Sequence, residues 1–178
     1  MADEDLEWSD DLLRSFRRSA FRFETRSTYA LSYEQADFDR FLAGSPVPPP
    51  ELDWWRPWLE EISRLTAEGK TVSRVRVLDE PPSDYQRWEL WAAPWHSRAG
   101  ERIAYVSRSK AMRAMLPLWL GGDWWLLDDE RVIRMQFTED GAVEDRALID
   151  DPGIVARFTG WRDLAVRIAT PAEEFAAA

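Results

Sequence analysis

The sequence contains no cysteine and a single histidine, His96, in 178 residues. Without cysteine the chain forms no disulfide and offers neither thiolate ligands for zinc nor a cysteine nucleophile. One imidazole also excludes a histidine-rich metal site and any mechanism that needs two histidines. The opening residues MADEDLEWSDD lack the basic and apolar parts of a secretory signal, and no run approaches the roughly 20 apolar residues that span a bilayer. We therefore expect a cytoplasmic protein that makes no membrane contact.

Glycine-rich binding motifs are also missing. Gly121-Gly122 is the only adjacent glycine pair, and it lies in neither a P-loop nor a dinucleotide fingerprint. No Gly-x-Ser-x-Gly elbow for a nucleophile occurs. The acidic pairs at 128–129 and 150–151 have local explanations, at a tight turn and at a helix start. We expect no cofactor, no metal ion and no complete catalytic centre.

Charge and tryptophan content describe what is present. A net charge of −10 argues against direct binding of nucleic acid and is compatible with a partner that has a basic surface. Arginines nevertheless cluster near the start, either on a solvated helix face or as a surface for an anion or acidic partner; they are Arg14, Arg17, Arg18, Arg22 and Arg26. The chain has 11 tryptophans, which we expect mostly in the core, with others as interface anchors.

Hydrophobic spacing divides the chain into a helical segment and a larger body. A first amphipathic helix is predicted from Asp10 through Ala20, and a second over residues 33–43. A proline-rich connector at 45–50 then separates residues 1–50 from residues 51–178, although the whole is expected to form one compact domain.

The body alternates helices and strands. A helix is predicted over 53–68 and a strand over 72–78, with Val75 and Val77 on one face and Arg74 and Arg76 on the other. Ser83 and Gln86 suggest a capping box that opens a helix, although the residues after it also fit a strand. His96 is predicted in a loop, without a nucleophile beside it.

The last third is predicted to be an antiparallel meander followed by a helix. A strand over 102–106 and a short helix or ordered loop over 110–116 precede three strands over 123–128, 131–138 and 142–149. The final helix begins at Asp151-Pro152 and buries a stripe that includes Phe158 and Trp161. The predicted class is α/β shading to α+β, with a mixed sheet of about five strands covered by helices.

The densest polar constellation gives the candidate site. Its members are Arg74, Arg76, Asp84, Tyr85, Arg87 and Glu89, to which we add Asp123 and Trp124 from a later strand. Buried arginines need carboxylate partners, so one interpretation is an internal ion-pair network that ties a helix to the sheet. The other is a pocket at the carboxyl end of the strand, where arginines would bind a phosphate or carboxylate.

Several motifs resemble an uncharacterised family of domains of unknown function from actinobacteria. They are SFRRSAFRFET (15–25), VSRVRV (72–77), PSDYQRWE (82–89), AGE (99–101), WWLLDD (124–129), DDP (150–152) and WRD (161–163). Members of this family are commonly encoded beside Xre-type helix-turn-helix regulators and small companion proteins. The resemblance implies a regulatory or toxin–antitoxin-like partnership and supplies no reaction.

The segment from Val72 onward more remotely resembles half of a phospholipase D-like domain. Active members need a His-x-Lys motif followed by an aspartate, with histidine as the nucleophile. When that aspartate is matched to Asp128, Gly121 stands at the histidine position and Asp123 at the lysine position. The resemblance therefore implies a degenerate site.

These observations favour a non-catalytic protein. We expect it to bind a helix-turn-helix regulator or another protein partner, and to sense a small anionic ligand near Arg74 and Arg76. The alternative is a nuclease, phosphodiesterase or toxin-like transferase that uses Asp84, Glu89, Asp123 or Asp128. Direct DNA binding by the helix that carries Arg14 to Arg26 is the third interpretation.

Overall fold

The computed structural model describes residues 15–120 and 122–175, which build one mixed sheet of seven strands. The strands are β1 (Ser19–Glu24), β2 (Thr71–Leu78), β3 (Arg102–Ser107), β4 (Gly122–Leu127), β5 (Arg131–Phe137), β6 (Val143–Ile149) and β7 (Thr170–Pro171). Their order is β6-β5-β4-β1-β2-β3-β7. β1, β2 and β3 run parallel at the centre, while every other pairing is antiparallel. The predicted α/β class with a mixed sheet is confirmed, with two strands more than the five expected.

Helices cover both faces of the sheet. In the described residues they are α1 (Gln35–Leu42), α2 (Arg56–Ala67), α3 (Asp84–Ala99), α4 (Arg108–Arg113), α5 (Pro152–Ile168) and α6 (Ala172–Phe175). One core lies between the sheet and α1 to α3, and it contains Leu59 and Trp88. The second core lies between the opposite face and α4 and α5, and it contains Ala111 and Phe158. Among the described residues, none of these helices has the length and apolar character needed to cross a bilayer.

β2 shows how the sequence pattern positions the candidate site. Successive side chains of a strand point to opposite faces, so Val75 and Val77 enter the core beneath α5. Arg74 and Arg76 point to the other face, beneath α3, where they are 6% and 7% exposed. The predicted alternation is therefore confirmed, and both arginines are buried.

β1 corrects the predicted N-terminal helix. Residues 19–24 form a strand between β2 and β4 rather than the end of a helix, and the prediction over residues 10–14 lies outside the described residues. Phe21 and Phe23 alternate with Arg22 and Glu24, and both phenylalanines enter the core on the α5 side. The sheet is thus built across the boundary predicted at residue 50, because β1 precedes that boundary and all other strands follow it.

α3 settles the ambiguous segment after β2. The Ser83 hydroxyl accepts a hydrogen bond from the Gln86 backbone N–H at 3.0 Å, and the Gln86 side chain accepts one from the Ser83 N–H at 3.1 Å. This confirms the capping box and the helix. His96 lies inside α3 and not in a loop, since the helix continues through Pro94 to Ala99. Burial of Trp88, Ala92 and Ala93 on one face of α3 outweighs the hydrogen bond that proline removes.

The meander and the final helix agree with the sequence pattern. β4, β5 and β6 pair antiparallel in chain order. Asp128 and Asp129 form the turn between β4 and β5 with φ of 57° and 60°, a left-handed conformation that aspartate tolerates in tight hairpins. Asp151 caps α5 by accepting a hydrogen bond from the Ile154 N–H at 2.9 Å, and Pro152 is the first residue of that helix.

Candidate functional site

Arg74 and Arg76 are held by carboxylates from three separate parts of the chain. The Arg74 Nε donates to Glu101 Oε1 at 2.5 Å, and its Nη1 donates to Glu24 Oε1 at 3.2 Å. The Arg76 Nε donates to Glu24 Oε2 at 2.5 Å, and its Nη2 lies 3.0 Å from Glu89 Oε1. Glu24, Glu89 and Glu101 are all less than 10% exposed. These contacts form an internal ion-pair network between β1, β2 and α3, which is the first of the two interpretations drawn from the sequence.

The network continues across β1 to β4. Arg22 Nε forms an ion pair with Glu24 Oε1 at 3.0 Å, and Arg22 Nη2 contacts Asp123 Oδ2 at 3.3 Å. The fully buried Asp123 also accepts hydrogen bonds from the Tyr29 hydroxyl at 2.6 Å and the Thr25 N–H at 2.8 Å. Asp123 is therefore joined to Arg74 and Arg76 through Arg22 and Glu24. Its acceptor oxygens are occupied by neighbours that hold β1 to β4.

His96 closes the other end of the network. Its Nε2 lies 2.9 Å from the indole Nε1 of Trp55, and its Nδ1 lies 2.6 Å from Glu101 Oε2. An indole N–H only donates, so Nε2 must be the acceptor and the proton must reside on Nδ1. Burial lowers the pKa of His96 against the opposing effect of Glu101. His96 is thus a neutral structural residue with both ring nitrogens engaged.

The buried carboxyl groups divide into two electrostatic classes. Burial favours protonation of Glu24 and Glu101, but nearby arginines outweigh it, so the pKa of Glu24 falls well below its ordinary value and that of Glu101 falls to about 2. Burial raises the pKa of Glu89 to about 8, because the neighbouring Glu24 and Glu34 add to it and Arg76 only partly opposes it. Burial likewise raises the pKa of Glu34 to about 7. Of these four glutamates, two are therefore fixed anions and two bind protons near neutral pH. Burial also raises the pKa of Asp123.

The remaining predicted residues are dispersed. The Tyr85 hydroxyl donates to Glu34 Oε1 at 2.5 Å, so Tyr85 lines the edge of the network. Asp84 and Arg87 pair with each other on the exposed side of α3. Trp124 lies on the opposite face of the sheet, where it packs between Phe21, Phe23 and Phe158. The structure thus brings Arg74, Arg76, Glu89 and Asp123 together and separates Asp84, Arg87 and Trp124 from them.

Asp128 has a structural role at the start of β1. Its carboxylate accepts hydrogen bonds from the backbone N–H groups of Arg17 at 2.8 Å, Arg18 at 2.6 Å and Ser19 at 3.0 Å. These bonds hold the entry of β1 against the β4–β5 turn. In the part of the chain that the structure describes, no group of three or more histidine and acidic side chains has the arrangement of a metal site.

Comparison with known proteins places the whole chain in a family. A family model described as a domain of unknown function, DUF6879, matches residues 7–177. The chain belongs to this family. No curated protein matches this DUF6879 member. Among solved structures, its fold is similar to the crystal structure of Nuc from Salmonella typhimurium, a phospholipase D family member, with a TM-score of 0.49, 11% identity and coverage of 88% of this chain and 83% of that chain.

Sequence reasoning missed five members of the network in this DUF6879 protein. They are Arg22, Glu24, Glu34, His96 and Glu101, which were not assigned to the candidate site. Glu24 lies 50 residues before Arg74 in the chain, so no local motif connects them. The available signal was the alternation of Phe21 and Phe23 with Arg22 and Glu24, which is the pattern of a strand with one charged inner face.

An exposed apolar surface is a second feature that the sequence did not reveal. Met112, Met115 and Trp119 are 64%, 74% and 66% exposed, although most tryptophans of this DUF6879 member are buried or half-buried. Lys110 and Arg113 lie beside them and are also exposed. We call these five residues the α4 surface. Neither cation forms an ion pair with a carboxylate of the described residues, so the α4 surface combines apolar area with positive charge.

Proposed function

We propose that the protein is non-catalytic and regulatory, and that it binds a protein partner through the α4 surface. The observation that supports this most directly is that Met112, Met115 and Trp119, which lie within eight residues of the chain, are each exposed. Exposed apolar patches on proteins often mark interaction sites, and tryptophan is a preferred interface anchor.

The candidate site supports a structural role rather than a reactive one. Glu24 and Glu101 are held as anions by arginines, and His96 has both ring nitrogens engaged. A general base needs a free acceptor that reaches its substrate. The anionic ligand expected at Arg74 and Arg76 would have to displace carboxylates that are already bound there.

The expected partner is a helix-turn-helix regulator, as the family resemblance implies. The positive charge of Lys110 and Arg113 beside the apolar side chains suits a contacting segment that is apolar and edged by acidic residues. Such a segment would cover the α4 surface and neutralise its charge.

Co-expression with the helix-turn-helix regulator that the family resemblance places beside the gene tests the proposal. We expect the two proteins to co-purify, and we expect Trp119→Ala and Met115→Ala each to weaken binding by about tenfold or more, as interface anchors do. Leu148→Ala is the matched control, because Leu148 is 51% exposed on β6, away from α4. Failure of the unaltered pair to associate, or equal binding by Trp119→Ala and Leu148→Ala, would contradict the proposal.

An enzyme is the second candidate, and one observation favours it. Burial raises the pKa of Glu89 to about 8 beside Arg76, and strongly perturbed carboxyl groups are common in active sites. A nuclease, phosphodiesterase or transferase would then use Glu89 as its proton-transfer group. Growth arrest on expression, abolished by Glu89→Gln in a protein that still folds, would favour the enzyme over the binding protein.

A further inference from the structure

A cleft opens at the carboxyl end of β1, on the same side of the molecule as α4. Its volume is about 360 Å³, and its walls are residues 25–28, Arg108, Leu118 and Glu139. This volume lies within the range of small-molecule sites. In open α/β sheets, ligands bind beyond the carboxyl ends of the parallel strands, and β1 is parallel to β2. Thr25 joins the cleft to the buried network, because its N–H donates to Asp123, while none of the residues first predicted for the site lines the cleft.

Arg26 supplies a positive charge to this cleft, near Asp140, whose pKa it helps to lower. Its Nη2 donates to the backbone carbonyl of Glu139 at 2.9 Å, and its guanidinium lies 5.6 Å from the centre of the Phe137 ring. These contacts fix its orientation. No carboxylate of the described residues lies within ion-pair distance of Arg26, and its Nε is buried without a hydrogen-bond partner. The charge of Arg26 is thus positioned but not neutralised by a direct ion pair.

Arg108 provides a second fixed guanidinium. Its Nε donates to Asp79 Oδ1 at 2.5 Å, and its Nη2 donates to the Thr25 carbonyl at 2.7 Å. A guanidinium has five N–H donors, so these two bonds leave others for a ligand. The side chain of Arg108 is 32% exposed. A planar group fixed in this way is suited to the oxygens of a phosphate.

The loop between the two arginines adds backbone donors. Its carbonyls are engaged, because Thr25 accepts from Arg108, Arg26 accepts from Gln86 Nε2 at 3.3 Å, and Ser27 accepts from the Ser83 hydroxyl. Among the described residues, no acceptor pairs with the N–H groups of Ser27 and Thr28. These two N–H groups are donors that the loop does not use internally.

We propose that this cleft binds a phosphoryl group, either as free phosphate or as the phosphate of a nucleotide-sized metabolite. Two fixed guanidinium groups and the loop N–H groups supply donors, while Glu139 is the one acid among the residues that line the cleft. The carboxylate of Glu139 repels a bound anion, whereas the guanidinium of Arg26 attracts it. Removal of Arg26 and removal of Glu139 must change affinity in opposite directions. This inference is independent of the protein partner.

Binding is measured by calorimetry at constant ionic strength, with inorganic phosphate and adenosine monophosphate as probes and chloride as the balancing anion. We expect Arg26→Gln to weaken binding by about tenfold and Glu139→Gln to strengthen it by about threefold, as expected for charge changes next to a bound anion. Arg87→Gln is the control, since it removes an exposed arginine of α3 that does not line the cleft. Thermal unfolding of each variant shows that it is folded.

The two probes distinguish the sources of the phosphoryl group. Equal affinity for both identifies free phosphate as sufficient, and tighter binding of the nucleotide identifies a larger metabolite. The proposal is wrong if neither probe binds at about 10 mM, a concentration that reveals even weak sites, or if Arg26→Gln and Glu139→Gln behave like Arg87→Gln. Trp119→Ala should bind phosphate normally, so a failure here is separable from a failure of the α4 surface to bind a protein.

Discussion

Replacement of Glu24 with glutamine perturbs the charge network at its centre. Three guanidinium groups contact this one carboxylate, with distances of 3.0 Å from Arg22, 3.2 Å from Arg74 and 2.5 Å from Arg76. Glutamine has nearly the same shape but no charge, and its NH₂ group donates where the arginines also donate. The variant therefore leaves three buried cations with one anion fewer.

The structure gives an approximate size for this effect. Glu24 is 4% exposed and Arg74 and Arg76 are 6% and 7% exposed, so water cannot replace the lost carboxylate. Loss of one partner from a buried ion pair costs about 3 to 5 kcal/mol. We expect Glu24→Gln to lower the free energy of unfolding by that amount. This is a large fraction of the roughly 5 to 15 kcal/mol that stabilises a typical domain.

Urea denaturation at pH 7, followed by tryptophan fluorescence, measures the change. We expect the midpoint to fall by about 1 to 2 M at an unchanged slope. Glu68→Gln is the control, because Glu68 pairs with Arg64 and Lys70 on the surface and its side chain is 44% exposed. That variant should lose less than about 1 kcal/mol. If Glu24→Gln and Glu68→Gln have equal effects, Glu24 is not the buried centre of the network and the reasoning fails.

Three further predictions concern protonation, backbone space and tryptophan burial. Burial raises the pKa of Glu89 to about 8. The stability that protonated Glu89 contributes is therefore fully present below pH 4.5 and is lost as pH rises through 8. The urea midpoint of the unaltered protein should fall as pH rises, and Glu89→Gln should remove this fall between pH 5 and 8.5. A Cβ on Gly122 would lie 1.9 Å from the Met135 carbonyl oxygen, so Gly122→Ala should yield little soluble protein. Gly160 in α5 has open space around it, so Gly160→Ala should raise the free energy of unfolding by about 0.5 to 1 kcal/mol, as measured by urea denaturation. Trp88→Ala should cost about 3 to 5 kcal/mol and Trp119→Ala less than about 0.5 kcal/mol, because their exposures are 2% and 66%. Equal midpoints for the paired variants, or an unchanged pH profile, would contradict these expectations.

Elements with local signals were predictable from the sequence. α3 begins at the Ser83–Gln86 capping box, α5 begins at the Asp151 cap, and β2 alternates valine with arginine. Each of these features depends on residues that are close in the chain. The meander was also predictable, since its strands are joined by short turns.

Elements that depend on distant partners were not predictable. Arg22 and Glu24 are unusual on the inner face of a central strand. They pair with each other and with Arg74, Arg76 and Asp123, which lie far along the chain. The charges therefore obscured β1, and the hydrophobic spacing from Asp10 through Ala20 suggested a helix. His96 was assigned to a loop because of Pro94, although tertiary packing extends α3 past the proline. Glu101 was missed for the same reason, because its role depends on a tertiary contact between the end of α3 and β2.

The central claim is that the polar residues of the candidate site form a closed network in the protein interior. The single histidine allows a direct test, because its imidazole gives one unambiguous set of ¹⁵N signals in nuclear magnetic resonance. We predict a proton on Nδ1, a hydrogen-bonded Nε2, and a pKa of His96 below its ordinary value while the protein stays folded. A proton on Nε2, or a titration near the ordinary value of about 6.5, would show that solvent reaches the network and would contradict the account.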